Sequence, residues 1–338
     1  MLLRAISCGA LALILPAQTP QASNPASGEY IAKQAPLTDA EREELSRAVA
    51  ARNYLAEKAV LDRAAAENPQ SAEVQVLAGR VAFLSRQPKD AAEAFERAAK
   101  IKPLTADDRA SLALAYEGIG MKKEALATVS RLTTDLPKNP EYWYLKGRIE
   151  LHFKNNEAAI GDFRQAITVD PANVRAYLDL GTAQDALGHA EAARQSYEAA
   201  ARLNRHSPSP FDTPPLRLGE LLLKANELDA AEKLFDEALR YRPRSAWAHY
   251  DLAQLEIRRD KRDSALAEYR AAVVNDPTLR QAWLALGREY TRSGQKAEAD
   301  KCLAMFKKLE DAQKARTQAT STDPSTGNSQ AASTGKTP

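Results

Sequence analysis

The sequence has few of the residues that build catalytic and metal centres. Its 338 residues include two cysteines and four histidines, and aromatic residues make up only 6% of the chain. Cys8 lies in an apolar segment at the N terminus and Cys302 lies near the other end, so no cysteine cluster can bind zinc, iron–sulfur or haem. No metal-ligand spacing links the histidines, which are His152, His189, His206 and His249. We therefore expect neither a metal nor a cofactor.

An excess of charge of either sign is also missing. Lys and Arg number 47 and Asp and Glu number 45, which gives a formal net charge of +2. Binding to a nucleic-acid backbone needs a surplus of positive charge, so nucleic acid is disfavoured as a partner. Phosphate-binding loops, Gly-x-Ser-x-Gly elbows and His-Glu-x-x-His helices are missing as well. These absences predict a protein that is not an enzyme.

The N terminus has the layout of a secretory signal peptide. Met1–Arg4 is a positively charged start, and Ala5–Leu15 is an almost uninterrupted apolar run. This run is shorter than the ~20 apolar residues that a membrane-spanning helix needs. We assign residues 1–22 to a signal peptide, with cleavage after Ala17 or Ala22. The sequence therefore predicts an exported protein, periplasmic or secreted, with no integral membrane span once the signal is removed.

Cys8 suggests an alternative for the N-terminal segment, namely a lipoprotein signal. The residues Ala5-Ile6-Ser7-Cys8 resemble the end of a bacterial lipobox. The apolar run of a lipoprotein signal precedes its cysteine, whereas most of the run follows Cys8 here. The pattern favours a cleaved signal over a lipid anchor.

A period of about 34 residues organises most of the chain. Pro69, Pro103, Pro137 and Pro171 recur at this constant interval, and the same interval separates Pro243 from Pro277. Before these prolines a small residue, an alanine, an aromatic residue and a second alanine recur at constant spacing. The three clearest copies are Gly79, Ala91, Phe95, Ala98; Gly147, Ala159, Phe163, Ala166; and Gly219, Ala231, Phe235, Ala238. Weaker copies bring the number of units to eight.

Each unit is predicted to be a helical hairpin. The small residue and the first alanine suit two antiparallel helices at their closest approach, and the aromatic residue fills the space beside this contact. Proline ends the second helix because it has no N–H to donate. The turn between the helices needs a residue that tolerates left-handed backbone geometry. Residues of this type stand seven positions after the small residue in five units, at Gly120, Gly188, Asn226, Asp260 and Gly294.

This pattern resembles the tetratricopeptide repeat. The segment 280–290, with Trp283, Leu286, Gly287 and Tyr290, is the best match. The resemblance implies an all-α fold, a right-handed α-solenoid of antiparallel helix pairs with about eight repeats. It also implies a protein that binds other proteins or peptides as a scaffold.

The repeats do not fill the chain uniformly. We predict a linker at 23–36, repeats 1–5 at 37–205, a proline-rich joint at 206–215, repeats 6–8 with a C-terminal cap at 216–316, and a disordered tail at 317–338. The joint follows from the interval between Pro171 and Pro243, which exceeds two periods by four positions. It is interpreted as a spacer, with presentation of Phe211 to a ligand as the alternative.

In proteins with this resemblance, the first helix of each unit lines a concave groove. The stripe of positions i, i+4 and i+7 that avoids the small packing residue would face a partner there. Exposed Tyr, Trp and Arg are the residue types that most often anchor interfaces. The predicted partner-binding residues are Tyr144, Arg148, Arg175, Trp247, Tyr250 and Arg288. Val76, Leu151, Leu178 and Ile257 occupy the same stripes, but helix packing accounts for them equally well.

The leading hypothesis is therefore an exported scaffold that holds a peptide or helix of a partner. The Lys and Asn clamp of tetratricopeptide chaperone-tail readers is not matched, because no Asn occupies these stripes. The alternative is a structural subunit of a cell-envelope assembly for secretion, pilus formation or polysaccharide export, in which the outer face matters as much. The identity of the partner and the oligomeric state stay open.

Overall fold

The computed structural model describes residues 35–51 and 53–321, with side chains up to residue 315. In this part of the chain sixteen α-helices follow one another, and no strand is present. Their bounds are α1 (Asp39–Ala50), α2 (Tyr54–Glu67), α3 (Ala72–Leu84), α4 (Pro88–Ile101), α5 (Ala106–Gly118), α6 (Lys122–Asp135), α7 (Pro140–His152), α8 (Asn156–Val169), α9 (Val174–Ala186), α10 (Ala190–Arg205), α11 (Thr213–Lys224), α12 (Leu228–Tyr241), α13 (Ala246–Arg258), α14 (Arg262–Asn275), α15 (Arg280–Arg292) and α16 (Lys296–Ser321). Consecutive helices form hairpins, so the predicted all-α fold of paired helices is confirmed.

The chain divides into two units. Unit 1 ends at Ala200 and unit 2 begins at Ala201, so the division falls inside α10. In each unit the first helices of consecutive hairpins also contact each other, as α7 does with α9 and α11 with α13. Side chains on neighbouring first helices can therefore interact directly. The predicted signal peptide at 1–22 lies outside the described residues.

In the hairpins with the clearest copies of the repeat, an aromatic ring packs so closely on the glycine of the first helix that no larger residue fits there. A Cβ atom added to Gly147 would lie 2.7 Å from the ring of Phe163, and one added to Gly219 would lie 2.6 Å from the ring of Phe235. The ring therefore lies over the glycine itself, and not beside the contact as the spacing had indicated. Phe163 and Phe235 are completely buried. Burial of one such side chain contributes roughly 1.5–3 kcal/mol to the free energy of unfolding.

The helix ends agree with the predicted signals. The six prolines that mark the period each stand at the second position after the end of a second helix. All five predicted turn residues have positive φ, from 56° at Asp260 to 79° at Gly120. Arg86 and Lys154 occupy the same turn in two other hairpins, with φ of 57° and 61°. At the start of α1, Thr38 and Glu41 form a capping box, in which the Glu41 N–H donates to the Thr38 hydroxyl at 3.3 Å.

The region of the predicted joint is shorter than the sequence indicated. α11 begins at Thr213, so Pro214 and Pro215 lie in its first turn, where an N–H would have no helical partner in any case. Asn204 holds the connection, because its side chain accepts from the Phe211 N–H at 3.1 Å and donates to the Phe211 carbonyl at 2.8 Å. At the other end, α16 extends to residue 321, past the predicted start of the tail at 317.

Candidate binding surface

Tyr144 in unit 1 is part of the packing and not an exposed anchor. Its side chain is only 6% exposed, and its ring lies 6.0 Å from the Phe163 ring centroid. Its hydroxyl donates to Oδ2 of Asp179 on α9 at 2.9 Å. Burial and the Asp179 charge raise its pKa, which Arg148 and Arg175 oppose. The expectation of an exposed Tyr144 was wrong because the next first helix covers this position.

Arg148 and Arg175, the other two predicted residues of unit 1, lie close to buried acidic groups. Arg148 is half-buried and Arg175 is exposed. Burial raises the pKa of Glu117, which Arg148 and His152 partly counteract. Burial also raises the pKa of Glu141 to about 7, against the nearby charge of Arg175. In unit 1 the arginine charges are thus directed at carboxyl groups of the same unit.

Several other residues of the stripes have structural roles. Val76 and Leu178 are each 8% exposed, which favours the packing interpretation for both. Arg80 follows Val76 by four residues on the same stripe; it is buried, and its Nε donates to Oδ1 of Asp108 at 2.7 Å. Leu151 packs as a half-buried residue in unit 1, and Ile257 does so in unit 2.

The three predicted residues of unit 2 form a more exposed group. Trp247 is 43% exposed and meets Tyr250 edge to face, with ring centroids 5.8 Å apart. Tyr250 is half-buried and packs on the completely buried Tyr269 at 5.8 Å between centroids. Arg288 on α15 is exposed, and its charge lowers the pKa of Tyr250 against the larger effect of burial. We call Trp247 and Tyr250 the unit 2 aromatic surface.

Two carboxyl groups beside this surface were missed from the sequence. Glu220 on α11 and Asp251 on α13 interact, since the charge of Glu220 and hydrogen bonding with it both raise the pKa of Asp251. Asp251 is 7% exposed, and its Oδ2 has no hydrogen-bond partner in the described part of the chain. Burial, followed by the Glu220 charge, raises the pKa of Asp251 to about 8. We call Glu220 and Asp251 the carboxyl pair. Alignment of the repeats with one another would have shown two acids at these facing positions.

The remaining candidates for chemistry do not assemble a centre. Within residues 35–51 and 53–321, no three His, Cys, Asp or Glu side chains gather in a way that could hold a metal ion. Cys302 is buried, and burial raises the pKa of its thiol, which disfavours the reactive thiolate. None of the helices in the same ranges combines the length and the apolarity that a membrane span requires.

Family models place this architecture among known proteins. A model described as tetratricopeptide repeat matches residues 43–105, 155–208 and 216–280, which together exceed half of the chain. A second model with the same description matches residues 82–149. The chain belongs to the tetratricopeptide repeat family. The predicted resemblance is thereby confirmed, and with it a fold that serves protein binding. No curated protein sequence matches the chain.

Solved structures with the same fold include three informative neighbours. Yeast Tom70 has a TM-score of 0.59 at 18% identity, over 91% of this chain and 64% of that one. The type IV pilus biogenesis factor PilW has a TM-score of 0.52 at 19% identity, over 60% of this chain and 91% of its own. Pseudomonas aeruginosa PilF has a TM-score of 0.51 at 20% identity, over 61% and 92% of the two chains. This chain therefore spans about two thirds of the Tom70 structure.

Three of the tetratricopeptide repeats have one polar contact in common that the spacing did not reveal. Trp143 and Trp283 each donate Nε1–H to the carbonyl of the proline six residues earlier, at 2.8 and 2.9 Å. His249 occupies the same repeat position, and its Nε2 lies 3.2 Å from the Pro243 carbonyl. Its Nδ1 lies 2.7 Å from Oε2 of Glu268, which raises the pKa of His249. Both ring nitrogens thus face acceptors, as a protonated histidine requires.

Proposed function

We propose that this tetratricopeptide repeat protein is an exported, non-catalytic scaffold that binds a peptide or a helix of a partner protein on its first helices. The unit 2 aromatic surface is the observation that supports this proposal best. Trp247 is 43% exposed although its edge-to-face contact with Tyr250 holds it in place. A large aromatic side chain that is ordered and exposed loses little conformational entropy when a partner covers it. Arg288 adds a charged anchor beside it.

Five of the six predicted residues remain proposed contacts, three of them in unit 2 and two in unit 1. Trp247, Tyr250 and Arg288 are the principal contacts, because each carries an aromatic or guanidinium group and none of them is fully buried. Arg148 and Arg175 contribute charge in unit 1. Tyr144 has a positioning role, because it holds Asp179 through its hydroxyl.

Residue-specific photo-crosslinking tests this proposal. A photoreactive amino acid replaces Trp247, and the crosslinked partner in the envelope fraction is identified by mass spectrometry. We expect Tyr250→Ala and Arg288→Glu each to reduce recovery of that partner at least ~10-fold, since hot-spot truncations cost about 2 kcal/mol or more. Lys301→Glu, at a 71% exposed side chain on the second helix α16, is the matched control. Unchanged recovery with both test variants would contradict the proposed contact region.

Export rests on the N-terminal segment. A positive start followed by an apolar run too short to span a bilayer favours removal of residues up to 17 or 22. N-terminal sequencing of the protein from cells should give a first residue shortly after one of these positions. An intact Met1, or a lipid on Cys8, would contradict a cleaved secretory signal.

A structural role in an envelope assembly is the second candidate. PilW, which has the same fold, is named as a type IV pilus biogenesis factor. A subunit of such an assembly would use its second helices as well as its first. Under this alternative, Lys301→Glu should impair assembly at least as strongly as Tyr250→Ala, which reverses the order expected for a scaffold that binds on its first helices.

A further inference from the structure

The carboxyl pair of unit 2 stands at two repeat positions that carry different polar groups in unit 1. Gly147 of unit 1 and Gly219 of unit 2 are equivalent, because each lies against the ring of a phenylalanine on the following helix, Phe163 or Phe235. The difference between their residue numbers therefore relates equivalent positions in the two units. With the same offset, Asp251 corresponds to Asp179. In unit 1 the Tyr144 hydroxyl donates to Asp179 at 2.9 Å. In unit 2 Leu216 stands in place of Tyr144, and a leucine side chain has no hydrogen-bond donor.

The charge at a second equivalent position of the preceding first helix is reversed as well. Arg148 of unit 1 corresponds to Glu220 of unit 2. A buried carboxyl group next to a second carboxyl group is costly unless a proton or a cation compensates the charge. Asp251 is buried, and its Oδ2 lacks a hydrogen-bond partner in the described residues. Unit 2 therefore lacks the hydroxyl donor of Tyr144, and an acid stands where unit 1 has Arg148.

The cations around the pair compensate it only in part. Arg217 lies on the same helix as Glu220, and its Nη1 donates to Oε2 of Glu220 at 2.7 Å from a side chain that is 48% exposed. Lys224, at the end of α11, also acts on Asp251 at a distance. Such solvated ion pairs contribute little. Burial and the Glu220 charge outweigh both cations, so the pKa of Asp251 stays near 8. Tyr250 and Tyr269 also interact with Asp251, but their phenol groups are neutral and add no positive charge.

The aromatic surface shares helix α13 with Asp251 of this pair. Trp247 precedes Asp251 by four residues on α13, so the two side chains are on one face of that helix. The Glu220 side chain is 21% exposed and Trp247 is 43% exposed, so both are accessible from solvent. A guanidinium group pairs with carboxylates and stacks on aromatic rings.

We propose that the carboxyl pair and the unit 2 aromatic surface form a subsite for a cationic side chain, an arginine or lysine of the bound segment. The partner's cation adds a positive charge beside Glu220, which stands at the repeat position that Arg148 holds in unit 1. It pairs with Glu220 at the surface, and its charge favours release of the proton that Glu220 and Asp251 share. This inference rests on the proposed function and names the chemistry of the partner.

Fluorescence anisotropy with two synthetic peptides tests the subsite. The first is fluorescein-labelled Gly-Arg-Gly-Arg-Gly-Arg-Gly, and the second carries the neutral isostere citrulline in place of each arginine. We expect the purified protein to bind the arginine peptide at least ~10-fold more tightly than the citrulline peptide. Glu220→Gln should weaken binding of the arginine peptide at least ~5-fold. Glu198→Gln, which removes one negative charge at a 48% exposed side chain of unit 1, should change it less than ~2-fold.

Each other result overturns the cation subsite. Equal affinity for the two peptides, or no binding of the arginine peptide, contradicts a cationic ligand. Equal losses in Glu220→Gln and Glu198→Gln indicate general charge attraction instead of a site. The arginine peptide could show no preferential binding while crosslinking from Trp247 still captures a partner and Tyr250→Ala still lowers recovery of that partner. In that case the scaffold function stands and only the cationic ligand is wrong. Circular dichroism of each variant checks that the helices are intact.

Discussion

The hairpins around α7 and α9 in unit 1 and those around α11 and α13 in unit 2 have the same packing but different polar groups. In both, an aromatic ring lies over a glycine of the first helix. In unit 1 the tyrosine that packs on this ring also compensates an aspartate of the next first helix. In unit 2 a leucine replaces that tyrosine, and the aspartate faces a glutamate. The comparison shows that the repeat framework and the polar surface on it vary independently.

The shared packing predicts the largest effects, and they should be equal in the two units. Gly147→Ala and Gly219→Ala would each place a Cβ atom within 2.7 Å of a buried ring. We expect each to lower the free energy of unfolding by about 1–3 kcal/mol, measured by urea denaturation. Gly161→Ala is the control, because nothing lies within 4 Å of its added Cβ. It should stabilise α8 by up to ~1 kcal/mol. A clear difference between Gly147→Ala and Gly219→Ala would break the equivalence of the units.

Removal of the tyrosine hydroxyl should make unit 1 resemble unit 2. Tyr144→Phe keeps the packing on Phe163 and removes the donor to Asp179. Loss of a hydrogen bond to a charged group costs about 1–2 kcal/mol, and thermal or urea unfolding measures it. Tyr177→Phe, at a half-buried position on α9, is a control of the same chemistry. A cost no greater than that of the control would mean that the hydroxyl does not compensate Asp179.

Replacement of each of the two equivalent aspartates by asparagine should change the free energy of unfolding in opposite directions at neutral pH. Asp179→Asn weakens an acceptor that Tyr144 uses, so we expect a loss of stability of up to ~1 kcal/mol. Asp251→Asn removes a carboxyl group that is buried beside another acid, so we expect a gain of about 1 kcal/mol. Urea denaturation at pH 7 compares the two variants, and destabilisation by both would contradict the contrast.

The pH dependence of Asp251→Asn sharpens this prediction. The folded-state pKa of Asp251, about 8, lies above its usual value of 3.8, so the folded chain binds the proton more tightly. This group therefore favours folding below pH ~4 relative to higher pH, and stability falls as the pH rises from there through 8. The gain from Asp251→Asn should grow over that range. A gain that stays constant with pH would mean that Asp251 does not titrate as the burial predicts.

The smallest effect concerns His249 in unit 2. Its pKa is raised above the usual 6.5 mainly by its hydrogen bond with Glu268. Because the raised pKa belongs to the folded state, the stabilisation is complete below pH 6.5 and is lost as the pH rises through the folded pKa. His249→Trp should retain the contact with the Pro243 carbonyl and reduce this pH dependence, which amounts to about 0.5–1 kcal/mol. His189→Gln, at an exposed histidine of unit 1, is the matched control.

The sequence predicted the repeat framework because that framework depends on local signals. Proline at the end of each second helix and Gly, Asn or Asp in the turn act within a few residues, and the structure confirms them. Arg86 and Lys154 in the same turns gave no signal, since long charged residues rarely adopt positive φ. There the packing of the two helices imposes the turn, and the local residue does not.

The binding surface was less predictable because it depends on which first helices touch. The stripe on α7 marked Tyr144 as exposed, but contact with α9 buries it. The carboxyl pair joins residues of two different helices that carry no motif. Trp247, Tyr250 and Arg288 could be grouped from their repeat positions alone, because α13 and α15 place them at neighbouring sites of one face.

A pH titration of the Asp251 side-chain carboxyl by NMR tests most directly whether unit 2 compensates its acids less completely than unit 1. The protein and the variant Leu216→Tyr/Glu220→Arg, which grafts the unit 1 groups onto unit 2, are compared. We predict a pKa of about 8 in the unmodified protein and a pKa at least ~2 units lower in the graft, because it supplies both a donor and a cation. A pKa near 4 in the unmodified protein, or the same pKa in both, would contradict the account.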